Sequence, residues 1–146
     1  DSGRVYAISH SGRMVAIDLR SGRRIWEVKI GGVEQPWIAG DFIYVLSSKA
    51  LVACLTARDG RVRWVTSIGQ FKNPEDQLGR RVWTGPVVAG YRLIIAGGHG
   101  QALSLSPYNG EILGSTVTPG GTTVPLAVAD NTLYLLSNAG ELVALR

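Results

Sequence analysis

Apolar residues in this chain come in short runs, and each run is closed by Gly, Asn, Asp or Ser. Arg4-Val5-Tyr6-Ala7-Ile8, Phe42-Ile43-Tyr44-Val45-Leu46 and Leu51-Val52-Ala53-Cys54-Leu55 are of this kind, rich in β-branched and aromatic residues. No segment keeps a helical period, so the pattern predicts an all-β chain of strands joined by hairpins.

The runs also repeat. Arg4 to Ser9 returns 38 residues later as Phe42 to Ser47, and the same shift carries Ser21-Gly22 to Asp59-Gly60 and Trp26 to Trp64. A third copy follows 50 residues on, where Gly90, Leu93 and Asn109-Gly110 match Gly40, Ile43 and Asp59-Gly60. A fourth follows after 40 more, where Leu133, Gly140 and Val143 match Leu93, Gly100 and Leu103. Each unit predicts four antiparallel strands, which in the second fall at 35–39, 42–48, 51–57 and 61–68. Ser21-Gly22, Asp59-Gly60 and Asn109-Gly110 lie between the third and fourth strands, the place for a two-residue hairpin with positive φ. Period, strand number and turn chemistry together predict a β-propeller fragment of about three and a half four-stranded blades.

The expected blades are 3–30 (partial), 31–68, 82–119 and 120–146 (partial) within one domain, 1–146, with 69–81 inserted as a loop. In this phase the start looks like a cut through a blade, and an ending after a third strand suggests a native C-terminus. A partial ring leaves strand edges uncovered, so the fragment is expected to pair with a second copy or to be only marginally stable alone.

Composition narrows the function classes. The 45% hydrophobic and 18% charged shares are ordinary for a globular domain, and 19 Gly in 146 residues fit many tight turns. A net charge of +4 with no Lys/Arg run does not point to nucleic acid. One cysteine, Cys54, forbids an internal disulfide framework, and two histidines are too few for a metal cluster. No apolar run approaches the roughly 18 residues that cross a bilayer, and Asp1-Ser2-Gly3-Arg4 is not the start of a signal peptide.

The segment Ala16-Ile17-Asp18-Leu19-Arg20-Ser21-Gly22-Arg23-Arg24-Ile25-Trp26 resembles the blade signature of quinoprotein-like propellers, Ala-x-Asp-x-x-Ser/Thr-Gly-x-x-x-Trp. The copy from Cys54 to Trp64 keeps Asp59-Gly60 and Trp64 but has Cys54 for Ala and Thr56 for Asp, and the copy from Ser104 to Gly114 keeps only the turn. The resemblance implies that Trp26 and Trp64 dock flat on the neighbouring blade, with Asp18, Gly22, Gly60 and Gly110 shaping the outer turns. Over the whole chain, the order of blades, the Leu19-Arg20-Ser21-Gly22 turn and the ending Gly140 to Arg146 resemble the C-terminal half of the BamB family of outer-membrane assembly lipoproteins. That resemblance implies an eight-bladed periplasmic propeller at the inner face of the outer membrane. It would be anchored through a lipidated N-terminal cysteine absent from this chain, bind BamA's periplasmic domains, and use no cofactor.

Two features are candidates for partner contact. The insertion carries Phe71, Lys72, Pro74, Glu75, Asp76, Leu78, Arg80 and Arg81, a mixture of apolar and charged groups that is either a binding element or tolerated length. Arg20 with Arg58 and Arg23 with Arg61, joined by Arg24, form a candidate basic rim, either merely solvated or facing acidic protein or anionic head groups; Tyr108 and Glu111 interrupt it in the third unit. Leu51-Val52-Ala53-Cys54 looks like a lipidation box, yet Cys54 aligns with Ala16 inside a strand and is expected to be a buried small residue. Gly97-Gly98-His99-Gly100 lacks the strand-to-helix context of a phosphate loop and is expected to be a hairpin. Trp26 and Trp64 could instead stack a ligand, but their shared blade position favours docking. A quinone-dependent dehydrogenase would need an adjacent Cys pair, calcium ligands and a catalytic Asp. The chain offers one Cys and acids mostly in turns, with Asp18 expected to cap its own. The expected role is thus a non-enzymatic protein-binding scaffold with no catalytic, cofactor or metal residues. The alternatives are a pyrroloquinoline-quinone-binding propeller of a periplasmic dehydrogenase and a sensor ectodomain.

Overall fold

A computed structural model describes residues 3–73 and 75–146, with strands and turns throughout and no helix among the described residues. Four antiparallel meanders follow one another along the chain. The first holds β1 (Arg4–Ile8), β2 (Met14–Asp18) and β3 (Arg24–Val28), and the second holds β4 (Trp37–Ala39), β5 (Phe42–Leu46), β6 (Leu51–Thr56) and β7 (Val62–Ser67). After a separate hairpin of β8 (Phe71–Asn73) and β9 (Leu78–Arg80) comes the third sheet, β10 (Trp83–Ala89), β11 (Arg92–Gly97), β12 (Gln101–Leu105) and β13 (Ile112–Val117). The fourth holds β14 (Ala127–Ala129), β15 (Thr132–Leu136) and β16 (Leu142–Leu145). Among the first strands, β10 touches both β4 and β14, so those strands converge on a common side while the sheets fan outward. This is the arrangement of propeller blades.

Register is the same in every sheet. Val5, Ile43, Leu93 and Leu133 pair with Ile17, Leu55, Leu105 and Leu145 on the neighbouring strand. Successive side chains on a strand point to opposite faces, and here both faces are covered. Ile43 and Val45 pack with Met14, Ala16 and Trp26 of the first sheet, whereas Tyr44 and Leu46 pack with Leu93, Ile95 and Trp83 of the third. Ala96 and Ala102 in turn meet Leu133 and Leu135 of the fourth. Burial on both sides explains why these middle strands read as unbroken apolar runs.

The turns depart from the sequence expectation. The connection between third and fourth strands is a four-residue loop, not a two-residue hairpin: Asp18 N donates to Arg23 O and Gly22 N to Asp18 O, both at 2.8 Å. The same pair of bonds recurs at Thr56, Arg61 and Gly60, and at Ser106, Glu111 and Gly110. Only the glycine of each loop has positive φ, +70°, +72° and +76°. Two-residue turns with both residues at positive φ join the first and second strands instead, at Gly90-Tyr91 and Asp130-Asn131. Beside each outer loop the ladder skips one residue of the outer strand, namely Ile25, Arg63 and Leu113. Such bulges re-aim the next side chain.

At two junctions that side chain is a Trp seated on the next sheet. Trp26 Nε1 donates to Ala57 O at 3.0 Å and Tyr6 Oη to the same carbonyl at 3.5 Å, with ring centroids 5.9 Å apart. Trp64 Nε1 and Tyr44 Oη share Pro107 O at 3.1 and 3.3 Å, with centroids 6.2 Å apart. The indoles lie on glycines of the receiving turn: a β-carbon on Gly60 would stand 2.6 Å from Trp26 Cε3, and Trp64 covers Gly110 in the same manner, while at Gly22 nothing stands within 4 Å. Gly22→Ala is therefore expected to cost about 1 kcal/mol for the backbone alone. Gly60→Ala should cost more, and Trp26→Ala, truncating a ring 9% exposed, about 3 to 5 kcal/mol. Urea melts of the double variant should show the excess at Gly60 disappearing once Trp26 is gone; additive losses would remove the ring from that seat.

Candidate partner-binding surface

The insertion, expected as a loop, is a two-stranded hairpin in which Phe71 pairs with Arg80 and Asn73 with Leu78. Asn73 Nδ2 donates to Asp76 Oδ2 at 3.0 Å across its tip, and Arg81 N donates to Gln70 O at 2.8 Å across its base. Trp83 Nε1 fixes the base further by donating to Gly69 O at 2.8 Å. Lys72, Glu75, Asp76, Leu78 and Arg80 are exposed, and Phe71 and Arg81 are partly buried; Pro74 lies outside the described residues. Leu78 is 61% exposed, an apolar group held in solvent among charges of both signs. Behind the hairpin a cleft of about 230 Å³ opens, lined among others by His10, Glu34, Ser47, Arg80, Arg81 and Trp83.

The candidate rim is wholly solvent-facing, since Arg20, Arg23, Arg24, Arg58 and Arg61 are all exposed. Arg24 is engaged, lying 3.5 Å from the Glu27 carboxylate that also meets Arg13 at 3.6 Å. Arg20, Arg23, Arg58 and Arg61 make no such ion pair among the described residues. Tyr108, 80% exposed, stands in the third loop where the first two carry arginine.

The acids of the outer loops serve the backbone. Asp18 Oδ1 accepts from Arg20 N at 2.9 Å and Ser21 N at 2.8 Å, and the Ser21 bonds hold its carboxyl below the ordinary value. Asp59 accepts from the Thr56 hydroxyl and from Arg61 N, which lower its pKa likewise. Cys54 is 2% exposed, and burial pushes its thiol up to about 11. Burial raises its neighbour Tyr44 to about 12, so that hydroxyl remains a donor. His99 is exposed, 4.7 Å edge-on from Trp83 and 3.1 Å from Gln101 Oε1. Among the described residues no three His, Cys, Asp or Glu side chains cluster as metal ligands would.

Tyr6 and Tyr44, which complete the two aromatic clamps, were not singled out in the sequence, although the 38-residue shift relates them as it does Trp26 and Trp64. The cleft behind the hairpin also escapes the sequence, because His10, Glu34 and Arg80 come from distant segments.

A family model described as outer membrane protein assembly factor BamB matches residues 1–66. The outer membrane protein assembly factor BamB of Salmonella typhimurium is 28% identical over 145 residues, covering 99% of this chain and 35% of that protein. That of Escherichia coli is 26% identical over 146 residues, again 99% of this chain and 35% of the relative. The chain thus spans about a third of the length of these relatives. The crystal structure of BamB from Moraxella catarrhalis superposes with a TM-score of 0.82 at 24% identity, covering 99% of this chain and 41% of that one. The quinohemoprotein alcohol dehydrogenase from Comamonas testosteroni shares the fold, with a TM-score of 0.73 at 18% identity over 92% of this chain and 27% of that one.

Because the folded carboxyl of Asp18 titrates below its ordinary 3.8, its contribution to stability is complete above 3.8 and is lost as pH falls through the depressed value. Asp18→Ala should be less stable than the parent at pH 6 and approach it as the pH drops below 3.8, measured by urea melts across a pH series. A gap that widens in acid would contradict the capping role.

Proposed function

We propose that this chain, similar to outer membrane protein assembly factor BamB over residues 1–66 and to relatives of that name at 26 to 28% identity, is a member of that family and a non-enzymatic, protein-binding part of the outer-membrane β-barrel assembly machinery. It works in the periplasm at the inner face of the outer membrane. Its partner is the periplasmic region of BamA, engaged through the β8–β9 hairpin.

The observation that carries this reading is the hairpin itself. A partly buried Phe71 and an exposed Leu78 are ringed by Lys72, Glu75, Asp76 and Arg80, the mixture of apolar centre and charged rim found where proteins meet. Internal hydrogen bonds and the Trp83 anchor at its base restrict the hairpin, which lowers the ordering cost of binding. The exposed rim arginines supply long-range attraction to an acidic partner surface, sensitive to salt. Asp18 and Asp59 are occupied in their own turns, and the single thiol is buried and protonated at neutral pH, which supports a role without catalysis. The outer edge strand β13 of the complete third sheet, where Val117 is 83% exposed, supports association of the chain with a second copy.

Leu78→Asp should leave the melting temperature unchanged, because the side chain is in solvent, and weaken capture by BamA's periplasmic domains about tenfold or more. Capture that is equally tight with Leu78→Asp and with Arg80→Glu would remove the hairpin from the interface. Titration with pyrroloquinoline quinone and calcium should give no saturable fluorescence change. Light scattering should give a mass above that of a single chain, falling on dilution; a concentration-independent monomer would exclude self-association.

A further inference from the structure

One register position near the outer edge differs from sheet to sheet. In the first sheet Val15 pairs with Glu27, and the Glu27 carboxylate meets Arg13 at 3.6 Å. In the third sheet Leu103 pairs with Ser115, whose hydroxyl accepts from Gln101 Nε2 at 2.7 Å. In the second sheet Ala53 pairs with Val65, and Leu51 stands where the repeat places Arg13 and Gln101 in the others. An aliphatic pair thus replaces a polar one, and Val65 is 53% exposed.

Leu51, Ala53 and Val65 floor an open groove of about 540 Å³ between the second sheet and the first, with Ile30 on the facing wall. Ala53 packs at its base with Met14 and Ala16 of the first sheet. The groove lies at the β1–β2 and β5–β6 turns, whereas Arg4 and Leu145 pair with Asp18 and Leu133 at the other end of their sheets. Its shape therefore depends only on the two sheets that border it. Lys29 and Lys49, both exposed and without an ion pair among the described residues, also line it, and no Asp or Glu does.

We propose that this groove binds an aliphatic side chain presented between carboxylates on an extended segment of a partner polypeptide. The side chain lies on Leu51 and Val65, and the carboxylates on either side of it meet Lys29 and Lys49. Adjacent strands are about 4.8 Å apart and residues two apart on a strand about 7 Å, so the floor matches one side chain and is too small to bury an acyl chain. The charge on the lining specifies the flanks, as two ammonium groups without a carboxylate attract anions and repel basic segments. A segment reaches the groove from the rim because β7, which carries Val65, is the last strand of its sheet. The site does not rest on the role assigned to the β8–β9 hairpin, none of whose residues lines it.

Blocked pentapeptides test this on the whole chain, followed by the methyl resonances of Ile30, Leu51 and Val65. Acetyl-Glu-Glu-Leu-Glu-Glu-amide should shift these methyls saturably and bind about tenfold more tightly than acetyl-Lys-Lys-Leu-Lys-Lys-amide, with the difference shrinking in high salt. Exchanging its central Leu for Ala should weaken binding about tenfold. The double variant Leu51→Gln, Val65→Ser, which installs the pair carried by the third sheet, should keep its fold and lose binding, read at Ile30. Lys29→Glu with Lys49→Glu, both in solvent, should leave the melting temperature unchanged and abolish the preference for the acidic peptide, a readout that stands even if the first variant fails to fold. Leu78→Asp should leave peptide binding as it is. Binding that survives the Leu51, Val65 exchange, equal affinity of the parent chain for the acidic and basic peptides, loss of peptide binding on Leu78→Asp, or octanoate binding here as tightly as the peptide would each overturn the proposal.

Discussion

Sheets in this chain are joined by seating an outer-strand Trp on the glycine turn of the sheet that follows. The contact couples three requirements at once. A bulge must aim the ring outward from its own sheet, a glycine must be present because any β-carbon would collide with the indole, and one carbonyl must accept both the Trp and the Tyr donors. A neighbouring Arg4 guanidinium bonds the same carbonyl, Ala57 O, and Arg58 O, so the first sheet grips the second turn by three side chains. Burial of the ring supplies the free energy, and the shared carbonyl leaves no buried donor unpaired.

Rigid junctions of this kind leave the loops and edges to vary. The β8–β9 hairpin is inserted between two sheets without disturbing either register, and its base is tied to the core by Trp83 of β10, which donates to Gly69 O. The sheets are held by their inner contacts and ring-bearing junctions, so a connection at their periphery is free to vary in length and composition.

Much of the fold was legible because propeller geometry repeats and the repeat leaves marks in composition. Val5, Ile43, Leu93 and Leu133 could be aligned from spacing alone, and each stands on a second strand in the same register. The turns were less legible. Ser21-Gly22 reads as a two-residue hairpin, but the loop is longer because the Asp18 carboxylate satisfies two backbone donors and lets only Gly22 take positive φ. Conversely, Gly90-Tyr91 and Asp130-Asn131 carry the paired positive φ values, one of them on an unpromising Tyr. The 69–81 segment reads as a loop since Phe71–Asn73 and Leu78–Arg80 are too short and too polar to signal strands, and only their mutual hydrogen bonding makes them so.

Strand type, repeat length and the positions of the ring-bearing residues are written in the order of side chains, because each depends on neighbours a few residues away and on a period that recurs. Which distant residues come together could not be written there. The cleft behind the β8–β9 hairpin brings His10, Glu34 and Arg80 together from three separate segments. That juxtaposition arises when separately coded sheets pack against one another, so it is decided by tertiary contacts between residues that no local pattern relates.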